Sequence, residues 1–219
     1  MTRARTLTWS GLIAGALLAL GAGVVFRTPS AARLDFDPAE LAGRETRMWQ
    51  AYYEKQPERV ALELVAVLRE QFGLSYAVSS LAARDFADAA RLFRDSHDGY
   101  EATVLPPLER AYDRIQRARR ARWDARAVAR AELAWWVARR TPRQWDAESV
   151  GKAIGQLYVQ LYDIDPAAAL RAGRLRAQAA EIRTAGSYGG TVDWPRVRTR
   201  LTESYRELQG AIQAQRRRS

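Results

Sequence analysis

Val150, Ile154, Leu157, Tyr158 and Leu161 stand three or four positions apart, and similar spacing returns in segment after segment beyond residue 36. Apolar residues at i, i+3, i+4 and i+7 define one face of a helix, whereas a half-buried strand needs strict alternation. No convincing alternation interrupts the pattern. Past residue 36 the chain is therefore restricted to helix packed on helix.

The punctuation between stripes agrees. Asp37-Pro38-Ala39-Glu40 offers an N-cap, a proline at the first helical position and an acid in the first turn, predicting a helix from about Pro38 to Lys55. Pro57 opens a second, carrying Val60, Leu64, Val67 and Leu68 and stopped by Gly73. A third, from about Ser75 to Arg94, is expected to bury Val78, Leu81, Phe86, Ala89 and Phe93. Asp98 and Glu101 are spaced as a cap and its N3 partner for a fourth, which Pro106-Pro107 must kink or restart ahead of Leu108, Tyr112 and Ile115. Asp124 caps a fifth with Val128, Ala131, Trp135 and Trp136, and the Val150–Leu161 stripe makes the sixth.

Asp165-Pro166 starts a seventh, Ala-rich helix with Leu175 and Ile182 inward, ending near Gly186; its small side chains permit a close neighbour. GSYGGTVD reads as a hinge before a last helix that begins at Trp194-Pro195 and carries Val197, Leu201, Tyr205, Leu208 and Ile212. The expected fold is all-α: one irregular bundle of seven or eight helices over residues 34–215, then a basic tail, 216–219. A chain of 219 residues suffices for one such core.

Ahead of the bundle, no charged residue occurs from Thr6 to Phe26. About 20 residues at 1.5 Å each span a hydrocarbon core of about 30 Å. Ser30-Ala31-Ala32 resembles a signal-peptide cleavage site, yet the apolar run exceeds the h-region of about 7–15 residues that such peptides carry. Residues 1–33 are accordingly read as a basic flank and an uncleaved anchor, with 7–26 in the membrane. Arg3, Arg5 and the α-amino group oppose Arg27 and Arg33, a slight bias towards a cytoplasmic amino terminus and an extracytoplasmic bundle. Gly11, Gly15, Ala19 and Gly23 recur every fourth residue, a small-residue face suited to self-association.

Composition removes several chemistries. With no Cys, the chain has no disulfide, thiolate ligand or cysteine nucleophile. The net charge of +10 is almost wholly arginine, since Lys55 and Lys152 are the two lysines; without Arg3, Arg5 and Arg27, 32 basic residues face 25 acidic ones. Abundant Ala and Arg with no Asn fits GC-rich coding bias, and nucleic acid is not the expected partner. Arg114, Arg117, Arg119, Arg120, Arg122 and Arg126 form the densest basic stretch, but Glu109, Asp113 and Asp124 are interleaved, so a solvated face with local ion pairs is expected rather than a phosphate or headgroup site. His97, the one histidine, sits in a turn, which leaves no Ser-His-Asp arrangement to argue.

One pattern points inward. Glu45 shares a helical face with Leu41, Met48, Trp49 and Tyr52, and Glu132 stands likewise with Val128, Trp135 and Trp136. Two inward carboxylates could serve a di-metal bundle, but that arrangement also wants Glu-x-x-His on two further helices. The expectation is structural: each acid pairs with an arginine such as Arg44, Arg130 or Arg139, whose planar fork bonds a carboxylate bidentately. The resulting reading is a single-pass, cytoplasmic-membrane protein, non-enzymatic and without a cofactor, acting through protein partners or self-association at the envelope. The alternative is a carboxylate-based metal or small-ligand site around Glu45 and Glu132.

Overall fold

A computed structural model describes residues 35–140 and 146–218, apart from the side chains of 187–189. Among these residues every element is a helix: α1 (Pro38–Tyr53), α2 (Pro57–Phe72), α3 (Tyr76–Asp95), α4 (Tyr100–Thr103), α5 (Leu105–Arg119), α6 (Ala125–Arg140), α7 (Ala147–Tyr162), α8 (Pro166–Gly189) and α9 (Trp194–Arg216). The expected eight segments are all present, and α4 is the single turn split off where the proline pair forces the helix to restart. The span 7–26 and the face of Gly11, Gly15, Ala19 and Gly23 lie outside the described residues. Among the described residues no helix is long and apolar enough to cross a membrane.

Caps explain most boundaries. Asp37 accepts from the amides of Ala39 and Glu40 at 2.7 and 3.0 Å, and Asp124, Asp146, Asp165 and Asp193 do the same for α6 to α9. Asp98 does not cap as expected. Gly99, at φ 62°, occupies the N-cap of α4 and offers no side chain. The GSYGG segment also departs from the hinge reading: α8 continues to Gly189, and Gly190 is its C-cap.

Packing follows chain order. Each long helix lies against its neighbours in sequence, with α4 bridging α3 and α5, and α9 returns to α1, so the packing order closes into a ring. At that closure Gln209 Nε2 donates to the Phe36 carbonyl at 2.5 Å. The closest approach is between α7 and α8: a Cβ on Gly173 would lie 2.2 Å from the Gly151 carbonyl oxygen, and one on Gly155 would lie 3.1 Å from Leu170 Cα. The small residues of α8 thus admit a close neighbour, and Ala169, Ala172, Ala177, Ala179 and Ala180 are buried around it.

The core contains the predicted stripes of α5, α7 and α9 in full, from Leu108 to Ile212. Three expectations need correction. Leu81 is 46% exposed, because α3 turns its small residues Ser79, Ala82, Ala83 and Ala89 inward instead. Tyr52 is 57% exposed; at that end of α1 it is Tyr53 that meets the bundle, receiving a hydrogen bond from Arg139 and the guanidinium of Arg183 on its ring. Leu175 and Ile182 are only half-buried, since the alanine face of α8 takes the interior.

Candidate functional site: a buried polar centre and a basic cleft

Glu45 is 1% exposed on α1 and is held from two other helices. Arg176 of α8 donates to Oε1 through Nη2 at 2.5 Å and Nε at 3.1 Å, and the Tyr205 hydroxyl of α9 donates to Oε2. Burial, the largest single influence, works against the Arg176 charge, but the field of Glu45, the Tyr158 and Tyr205 hydroxyls and the hydrogen bonds to Glu45 together outweigh it and hold the guanidinium well above its usual pKa. Burial, reinforced by the Glu45 charge, likewise keeps the Tyr205 hydroxyl protonated far above the ordinary phenol range. Arg176 also lies over the Trp135 ring, 5.4 Å from its centroid. Tyr158, 1% exposed, completes the group; its hydroxyl lies near Ser204 and Arg176 but outside hydrogen-bonding geometry to either.

Glu132 of α6 is bound differently. Tyr112 donates to Oε2 and Trp136 Nε1 to Oε1, both at 2.8 Å, and no cation among the described residues lies within ion-pair distance. Two neutral donors therefore do what an arginine was expected to do. The three expected partners go elsewhere: Arg44 pairs with Glu40 one turn back at 2.7 Å, Arg130 reaches the exposed Glu101 at 3.7 Å, and Arg139 bonds Tyr53 and covers the Trp49 ring. The reason is reach. Arg44 adjoins Glu45 in sequence but leaves the helix on another side, whereas Arg176 crosses from a packed neighbour.

Two further polar centres were not foreseen. Asp85, 6% exposed on α3, accepts from Arg110 and Arg114 of α5 at 3.3 and 2.6 Å. Arg140 donates to the carbonyls of Phe93, Ser96 and Arg94 and so closes the end of α3 from α6. Asp85 sits at a helical position between Ala82 and Ala89 that small neighbours conceal in the sequence. His97 is exposed, as its turn position suggests.

The basic stretch divides. Arg117 and Arg126 form ion pairs with the interleaved Asp113 and Glu109, as expected, whereas Arg114 reaches Asp85 on α3. Arg119, Arg120 and Arg122 instead line a cavity of about 740 Å³ at one end of the bundle, together with Arg216, Trp123, Asp163 and residues of α7 and α9. Arg120 (φ 51°) and Asp163 (φ 50°) end α5 and α7 in the left-handed conformation, which costs an L-residue about 1–2 kcal/mol and which glycine adopts freely. Arg119 is 6% exposed, and burial followed by the charge of Arg216 lowers its pKa. Gln116 Nε2 donates to the Trp123 carbonyl, which fastens the connecting loop to α5.

Compared with known proteins, the chain matches no protein family, no curated protein and no solved structure.

Proposed function

We propose that the chain is a membrane-anchored, non-enzymatic helical protein acting through protein contacts at the cell envelope, tethered by residues 7–26 with its bundle on the extracytoplasmic side. The observation that carries this reading is how the two inward carboxylates are engaged. Glu45 accepts from Arg176 and Tyr205, and Glu132 accepts from Tyr112 and Trp136, so every carboxylate oxygen has a fixed donor from the protein itself. A general base needs an oxygen directed at the proton it removes. These acids instead tie helices together, and the outer surface is left to act.

On that surface Leu62 is 63% and Leu81 46% exposed, on the adjacent helices α2 and α3. Apolar side chains of this kind suit a protein partner. A metal or small ligand at Glu45 and Glu132 is less well supported, because the Arg176 guanidinium already stands against Glu45 where a cation would have to sit.

The test has two parts. The full chain should fractionate with membranes and resist alkaline extraction, and removal of residues 1–33 should release a folded, soluble domain. Recovery of a mature chain starting near Arg33 would overturn the anchor. In cells, cross-linking and co-purification of the detergent-extracted protein should recover a neighbour that Leu62→Glu with Leu81→Glu loses, while the melting temperature holds. A neighbour retained by that double variant would remove α2 and α3 as the contact face.

A further inference from the structure

We propose that the basic cleft at the end of α5, α7 and α9 is a binding site for an organic phosphate, whose anionic group sits among Arg119, Arg120, Arg122 and Arg216. Among the described residues, four guanidinium groups and one carboxylate, Asp163, line a cavity of about 740 Å³, a volume that suits a small ligand. Guanidinium forks match phosphate geometry and bond it bidentately. Arg120 and Arg122 make no ion pair among the described residues, unlike Arg114, Arg117 and Arg126 on the same stretch. Arg120 and Arg122 therefore carry charge that no acid among the described residues neutralises.

Two further features fit a ligand rather than a solvated face. Arg119 is buried despite its charge, which keeps its guanidinium in place rather than sweeping through solvent. Of the three non-glycine residues with left-handed φ among the described residues, Arg120 and Asp163 both line this cleft. Strained backbone of this sort collects where side-chain placement matters. Leu161, Ile212 and Trp123 add apolar wall, so the ligand carries an apolar part beside its phosphate. The site would operate whether or not residues 7–26 cross a membrane.

The same chemistry can come from a soluble phosphate compound or from a phospholipid headgroup, and two titrations of the full chain in neutral detergent separate them. One adds inorganic pyrophosphate by calorimetry. The other follows thermal stability in micelles doped with phosphatidylglycerol, against phosphatidylcholine as control. A dissociation constant below about 1 mM for pyrophosphate identifies a soluble ligand; a melting-temperature rise specific to phosphatidylglycerol identifies a headgroup. In whichever arm responds, Arg122→Glu should weaken binding by about tenfold or more. Arg120→Gly should weaken it severalfold without lowering the melting temperature, because glycine relieves the left-handed residue. Asp163→Gly should tighten binding, also without loss of stability, because it removes the opposing carboxylate. No response in either arm, or a response that these three variants leave unmoved, overturns the site.

Discussion

Arg176 and Glu45 stand 131 positions apart in the chain and meet at 2.5 Å inside the bundle, with the Tyr205 hydroxyl closing the other side of the carboxylate. The pair fastens α8 to α1, two helices that are not neighbours in the packing order. Removing Arg176 leaves a buried carboxylate with the Tyr205 hydroxyl as its remaining donor, and removing Glu45 leaves the largely buried Arg176 guanidinium without its acceptor.

That gives the first expectation. Glu45→Ala should cost about 3–5 kcal/mol, as for other broken buried pairs, whereas Glu45→Gln should cost less because the amide oxygen still accepts from Arg176. Replacing Glu45 and Arg176 together by leucine should be far milder than the sum of the single losses. Urea titration of these variants beside the single Glu45→Leu and Arg176→Leu proteins checks this; additive losses would show that the two side chains do not depend on each other.

Two of the helical glycines, Gly173 and Gly210, should respond in opposite senses. A Cβ on Gly173 would stand 2.2 Å from the Gly151 carbonyl oxygen, so Gly173→Ala must push α8 off α7, at about 1–3 kcal/mol or more. Gly210 on α9 has nothing within 4 Å of the same atom, and Gly210→Ala should stabilise by about 0.4–1 kcal/mol through backbone entropy alone. Thermal melts read both; a harmless Gly173→Ala would contradict the close crossing.

Buried tyrosines set an alkaline limit. Tyr112, Tyr158, Tyr162 and Tyr205 all have raised pKa values, burial being the leading cause in each. Below the unfolded tyrosine pKa of about 10 both states hold these protons and the stability is intact. Above it the unfolded chain releases protons that the folded chain keeps, so stability falls as pH rises. Absorbance titration should therefore show these four among the nine tyrosines ionising only with cooperative unfolding, above about pH 10. Smooth ionisation of all nine without loss of helix would contradict their burial.

How far these features could be read in advance depended on side-chain size. Stripes built from Leu, Ile, Val and Tyr, as in α7 and α9, fixed both a helix and its buried face. Faces built from small residues did not: Ser79, Ala82 and Ala83 are buried while Leu81 points outward, because a close helix crossing favours small side chains over large apolar ones. The Gly151-x-x-x-Gly155 spacing was the available signal for the α7–α8 crossing. Glu45 and Glu132 were legible as inward carboxylates, since each interrupts an apolar face. Their donors were not, because Arg176 lies on a helix of weak periodicity and tyrosine and tryptophan read as core rather than as hydrogen-bond donors. The left-handed turns at Arg120 and Asp163 had no glycine to announce them.

The closure of α9 onto α1 also sets the order in which the chain can become native. On the ribosome α1 emerges first, yet one of its two flanking helices is the last of the described elements to be made. Until then Glu45 lacks Tyr205, and the Phe36 carbonyl lacks Gln209. The nascent protein is an open arc, with an exposed edge at α1 that a chaperone or a second nascent chain could occupy. A premature stop within α9 would leave that arc permanently open, and loss of this helix should be a defect of assembly as much as of stability.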